Sequence, residues 1–154
     1  MALIHKILVA TDFSEPAAHA LEYGADLAVK YSVPLLIMHA FTLPVLALPD
    51  GYVTITAPNA ANMTGQLNEG LERAEARARG LGVASVQSKL VEGAAWHEII
   101  GMAKAQRCDL IVIGTHGRTG MSHLLLGSVA EKVVRKASCP VLAIPARAAA
   151  PQGA

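Results

Sequence analysis

The residues best placed to do chemistry lie in one stretch, Asp109-Leu-Ile-Val-Ile-Gly114-Thr-His-Gly117-Arg-Thr-Gly-Met-Ser-His-Leu-Leu-Leu-Gly127-Ser128-Val-Ala-Glu131. An apolar run ends at Gly114, a glycine-rich loop follows, and a helical pattern opens at Ser128. That order lets backbone N–H groups and a helix N-terminus hold phosphate. The spacing Gly-x2-Gly-x9-Gly-Ser is neither the Gly-x4-Gly-Lys-Ser/Thr of P-loop enzymes nor the Gly-x-Gly-x2-Gly of dinucleotide binders. Glycine at 114 and 117 would permit positive φ and close approach of a ligand to the backbone. The bland alternative is a set of tight turns. Arg118 is the one cation of the loop and is within reach of a phosphate. Ser128-Val-Ala-Glu131 has the form of a capping box, which would bring the Glu131 carboxylate close to any anion seated there.

A second candidate is Asp12, in Val9-Ala-Thr-Asp12-Phe-Ser14. Its carboxylate suits the hydroxyls of a ribose or an adenine amine, and equally the start of a helix. His116 lies within the glycine loop, and His39 closes an apolar run. The six histidines make no His-Glu-x2-His pair, so no zinc site is expected. No serine has the strand–elbow context of a nucleophile. Cys108 and Cys139 each precede an apolar run. Neighbouring parallel strands roughly 4.8 Å apart would bring them within disulfide reach, against the plainer reading of two buried thiols.

The elements that must position these groups are short. Ile7–Ala10, Leu35–Met38, Leu110–Ile113 and Val141–Ile144 are continuous apolar runs, as in a parallel sheet covered on both faces. Ala84–Val91 alternates in part and suits a place nearer an edge. Helical patterns fall between them: one capped by Ser14 before Pro16, one from about Ala60 to Arg79 with Gly80 as its stop, one after Gly93 and one from Ser128. The alternation predicts an α/β fold of right-handed β-α-β units. Residues 41–59 are rich in proline yet apolar, and are expected to form a long packed loop without regular structure.

The composition bounds the function. The chain has 154 residues, 53% hydrophobic and 16% charged, with 13 basic against 12 acidic side chains. A single domain over residues 1–146 is expected, with a frayed tail over 147–154. The near-neutral balance and scarce aromatics argue against nucleic-acid binding. The sequence opens directly on a strand-like run, without signal-peptide features, and no apolar segment reaches the length of a membrane span. A cytoplasmic protein that engages no membrane is expected.

The chain resembles the universal stress proteins. The resemblance runs from Lys6-Ile-Leu-Val-Ala-Thr-Asp12-Phe-Ser14, through Leu36-Ile-Met-His39-Ala40 and Cys108–Arg118, to Leu126-Gly127-Ser128-Val129 and Cys139-Pro-Val-Leu. It implies a Rossmann-like three-layer fold, with a five-stranded parallel sheet in the order 3-2-1-4-5 and four flanking helices. It implies an ATP site, with AMP or ADP as alternatives and Mg2+ accompanying the nucleotide. There Asp12 meets the ribose, and Ala10 and Ala40 line the adenine. The backbone of Thr115, His116, Gly117, Arg118 and Thr119 wraps the phosphates, and Gly127, Ser128 and Val129 complete their seat. Several relatives have proline where this chain has Ala10. The resemblance also implies a homodimer through the Val141–Ile144 edge strand. The role expected is that of a stress-response regulator or sensor acting on a protein partner the sequence does not name, with slow ATP hydrolysis at most. The competing readings are a nucleotide hydrolase or adenylyl-handling enzyme, and a dimeric interaction module with a structural nucleotide.

Overall fold

The side chains of Ile7 to Ala10 explain the architecture. All four are buried in strand β1 (Ile7–Ala10), which is possible only with helices on both faces of the sheet. Ile7 and Val9 point into one hydrophobic cluster, and Leu8 and Ala10 into another. The first cluster packs under helices α1 (Glu15–Tyr31) and α2 (Ala57–Gly80), the second under α3 (Ala95–Ala105) and α4 (Ser128–Lys136). The result is a helix–sheet–helix sandwich. The computed structural model describes residues 3–54, 57–116 and 126–147.

Strand β1 pairs in parallel with β2 (Leu35–Phe41) on one side, Ile7 opposite Leu35. On its other side it pairs with a strand far downstream, Ile7 opposite Leu110. Chain order first supplies a two-stranded antiparallel hairpin, β3 (Val45–Leu48) and β4 (Gly51–Thr54). The main sheet then continues with β5 (Val86–Glu92), β6 (Leu110–Gly114) and β7 (Val141–Ile144), in the order β5-β2-β1-β6-β7. Without the hairpin this is the expected 3-2-1-4-5. Strand β5 lies at one edge, with exposed and buried residues mixed along it, as its partial alternation suggests.

The hairpin corrects the reading of residues 41–59. Strand β2 reaches Phe41, the hairpin occupies 45–54, and α2 begins at Ala57 rather than near Ala60. Proline excludes regular structure only where a ladder or helix needs its N–H. Here Pro44 precedes β3, Pro49 sits in the two-residue loop with Asp50, and Pro58 falls in the first turn of α2. Gly51 closes the loop with φ +140.

Helix α1 is capped by Ser14, whose Oγ accepts from the Ala17 N–H at 3.3 Å. The chain beyond β7 is tied back onto α1. His19 Nδ1–H donates to the Pro145 carbonyl at 3.1 Å, and Glu22 pairs with both Arg77 of α2 and Arg147. Arg147, where the frayed tail was expected to start, is therefore held by an ion pair.

Cys108 and Cys139 are free thiols beside the second cluster, at the opposite end of the strands from Gly114. Burial raises the Cys108 thiol from an ordinary 9.0 to about 11, against an opposing pull from Lys6, and burial also raises that of Cys139. Above pH 9 the unfolded chain releases a proton at Cys108 that the folded chain retains. Stability is therefore expected to be unaffected by this thiol below pH 9, and to fall as pH rises toward about 11. Urea denaturation across that window checks this, with Cys108→Ala flattening the slope. Native Cys108 is likewise expected to resist iodoacetamide at pH 8, because the thiolate is the reactive form.

Candidate functional site

The C-terminal ends of β1, β2 and β6 open into a cleft of about 260 Å³. It lies where the order of the sheet reverses direction, between β1–β2 and β1–β6, the usual ligand position in an open α/β sheet. Its apolar surface comes from Ala10, Met38, Ala40, Ile99, Ile113 and Ala130. Its polar groups come from Thr11, Asp12, His39, Thr115, His116 and Ser128. A concave, mostly apolar cleft with a few convergent polar groups is the usual form of a small-molecule site.

The turn after β1 is pinned at every polar atom of Thr11. Its N–H donates to the Met38 carbonyl at 2.9 Å, and its Oγ1 accepts from the Phe13 N–H at 3.0 Å. Its carbonyl accepts from His39 at 2.7 Å. A carbonyl only accepts, so His39 Nδ1 carries the hydrogen. Asp12 Oδ1 accepts from the Ser14 N–H at 3.0 Å and also from the Ser14 hydroxyl. Asp12 therefore lines the cleft and also orients the serine that caps α1.

The phosphate side departs from expectation in two ways. Gly114 is not among the left-handed glycines of the described residues, which are Gly51, Gly82 and Gly93. It is small because α1 is close: a Cβ there would lie 3.3 Å from the Pro16 carbonyl oxygen. Nor does the capping box form. Gly127, not Ser128, is the N-cap of α4, and no side chain among the described residues caps that end. Glu131 donates its N–H to the Gly127 carbonyl at 2.9 Å, and its carboxylate pairs with Arg135 one turn on. The pattern Ser-x-x-Glu is the same whether serine is the cap or the first helical residue, and here a cation four positions on takes the carboxylate. The feared competition at the anion seat is thereby removed.

What remains is an open helix end. Ser128, Val129 and Ala130 all line the cleft, and first-turn amides have no carbonyl of their own helix to bind. With the positive end of the helix dipole they favour an anion. This end is joined to the residue after β6 by a short link, the Gly127 N–H donating to the Thr115 carbonyl at 2.6 Å. Beside it, Thr115 Oγ1 and His116 Nδ1 lie 2.8 Å apart. His116 Nε2 is buried with no partner among the described residues. A buried polar atom left unpaired costs about 1–3 kcal/mol, which a ligand's polar group would recover.

Of the sequence-predicted set, the cleft brings together Ala10, Asp12, Ala40, Gly114, Thr115, His116, Gly127, Ser128 and Val129. Gly117, Arg118 and Thr119 lie outside the described residues. Sequence reasoning missed Ala17, Ala95 and Ile99, which reach the cleft from the starts of α1 and α3. It also passed over Thr11 and Met38, although they adjoin strand-end residues already singled out.

Residues 4–145 match the universal stress protein family. The chain belongs to that family. A universal stress protein of Methanocaldococcus jannaschii is 32% identical over 143 residues, which span 92% of this chain and 82% of the relative. Among solved structures, the universal stress protein of Archaeoglobus fulgidus in complex with dAMP superposes with a TM-score of 0.67 at 25% identity, covering 93% of this chain and 99% of that one. A universal stress protein in complex with cAMP shares the fold at 23% identity and a TM-score of 0.71, covering 95% of this chain and all of the other. Among the described residues of this universal stress protein, no three His, Cys, Asp or Glu side chains converge to hold a metal ion, and no helix is long and apolar enough to cross a membrane.

Proposed function

We propose that this universal stress protein binds an adenine nucleotide, ATP foremost and AMP or ADP as alternatives, and works as a stress-response regulator or sensor. The observation that carries the reading is one juxtaposition: an apolar slot, the Asp12 carboxylate and the start of α4, which no described side chain caps, share a single cleft. The three parts suit the base, the sugar and the phosphate of a nucleotide. The orphaned His116 Nε2 supplies a further contact at the phosphate end. The dAMP and cAMP complexes of the two related structures support the same class of ligand. Mg2+ would be held chiefly by phosphate oxygens, as is usual where few protein ligands converge.

Holding is favoured over turnover because of how Asp12 is used. It is the one carboxylate among the described cleft residues, and its Oδ1 already accepts two hydrogen bonds from Ser14. A base for activating water must lie within hydrogen-bond reach of that water at the phosphate, whereas the nucleotide reading assigns the Asp12 carboxylate to the sugar. The Val141–Ile144 strand, with three of its four residues only partly covered at the sheet edge, is the surface we assign to a homodimer.

Two measurements test the reading. Small molecules released from purified protein by denaturation are identified by mass, and calorimetry then follows ATP and AMP. An adenine nucleotide is expected among the released molecules, with a Kd of roughly 10 μM or tighter, about −7 kcal/mol. No released nucleotide and no heat at millimolar ATP would overturn it. Hydrolysis well above background in single-turnover assays would favour the enzyme reading instead.

A further inference from the structure

Phe13 adopts φ 64, a left-handed conformation that glycine takes freely and a bulky residue avoids. Such a conformation persists only where its surroundings over-determine it. Here they are specific. The Phe13 ring lies 4.6 Å from the His39 ring, centroid to centroid, tilted by 42°. Its edge fits against Gly70 of α2, where a Cβ would fall 2.9 Å from Cε1 and 3.0 Å from Cζ. Gly70 is buried, and no residue of α2 lines the cleft among the described residues. The residue before Phe13 is Asp12, and the residue before that is the fully pinned Thr11.

We propose that Phe13 and Gly70 are positioning residues for nucleotide recognition: the ring wedged between His39 and α2 holds residue 13 left-handed, and that backbone setting aims the Asp12 carboxylate at the sugar hydroxyls. The proposal rests on the nucleotide reading of the cleft and adds to it a specificity device outside the cleft. Thr11 is fixed from one side by three hydrogen bonds, and on the other side the backbone at residue 13 places the Ser14 N–H and hydroxyl that hold Asp12 Oδ1, so residue 13 sets the direction of Asp12. Without the wedge, an alanine at 13 relaxes to negative φ and carries Asp12 away. A glycine at 13 keeps the left-handed setting without needing the wedge.

The test uses Phe13→Ala, Phe13→Gly, Gly70→Ala and the double variant Phe13→Gly/Gly70→Ala in the full chain, each titrated with ATP and 2′,3′-dideoxy-ATP. Phe13→Ala and Gly70→Ala are expected to weaken ATP binding about tenfold, the scale of one charge-assisted hydrogen bond, and to leave dideoxy-ATP nearly unchanged. Phe13→Gly is expected to recover most of the ATP affinity, and the double variant to bind better than Gly70→Ala because there is no ring to collide with. Equal losses for Phe13→Ala and Phe13→Gly, or equal losses for the two nucleotides, would show that the ring acts only as packing and overturn the proposal. Ligand-free crystal structures separate this from the parent reading. A Phe13→Ala protein that keeps positive φ at residue 13 removes the wedge mechanism whatever the nucleotide result. A wild-type protein that binds neither nucleotide removes both the nucleotide reading and the role assigned to Asp12.

Discussion

Gly127→Val is expected to weaken adenine-nucleotide binding by at least about 100-fold while the protein stays folded, the scale of two charge-assisted hydrogen bonds lost together. A Cβ at position 127 would stand 2.9 Å from the Thr115 carbonyl oxygen, a backbone atom that has little freedom to move away. The same oxygen accepts the 2.6 Å bond that fastens the start of α4 to the end of β6. Valine branches at Cβ, so two further carbons crowd the same place. The helix end must retreat, and the amides of Ser128, Val129 and Ala130 leave the phosphate position together. The rest of α4 remains anchored by buried Val133, so circular dichroism should be near that of the wild type. Calorimetry with ATP reads the effect. Unchanged affinity would place the anion seat somewhere other than this helix end.

Gly24→Val is expected to be the most damaging single change to stability, about 3 kcal/mol, from overpacking. A Cβ on Gly24 would lie 2.3 Å from Cγ2 of Val9, a residue with no exposed surface in the central strand. Neither side can yield, because Val9 is fixed by its ladder on both flanks and α1 is held at its cap. At roughly 2–4 °C per kcal/mol for a chain of this size, the melting temperature should fall by about 6–12 °C. Gly65→Ala is the control with the opposite sign. Gly65 is exposed in α2 with nothing within 4 Å of a new Cβ, so the gain in helix propensity stands alone, up to about 1 kcal/mol. Thermal melts of the two variants decide whether close approach of α1 to β1, rather than glycine flexibility, explains position 24.

How legible the molecule was in its sequence depended on the kind of signal. Ile7–Ala10, Leu35–Met38 and Leu110–Ile113 announced a doubly covered sheet because burial on both faces leaves no room for polar alternation. The hairpin at 45–54 was hidden because its prolines read as breakers, although each falls outside the ladder. The letters of the α4 start misled at one position. Ser128-x-x-Glu131 specifies two partners, and Arg135 competes for one of them from the next turn. At the site, the residues legible in the sequence were strand ends and loop glycines, whose placement follows from topology. Ala95 and Ile99 were not legible, since their approach depends on how α3 packs across β2 and on no local pattern. The strain at Phe13 left no trace either, because nothing in the letters Asp-Phe-Ser signals a left-handed backbone.

The position of β1 has a consequence for how the molecule comes into being on the ribosome. Of the strands of this sheet, the first in chain order is the middle one, and one of its two neighbours is encoded about a hundred residues later. Pairing β1 with β2 can begin early, but the other flank of β1 stays bare until Leu110–Gly114 has emerged. During that interval an apolar strand edge is on offer to any passing chain, and long-range parallel pairing is slow to close it. The same delay governs the cleft: half of its lining, from Ile113 to Ala130, belongs to the late segment. A nascent chain therefore completes this cleft in a single late event, when its first strand is finally enclosed.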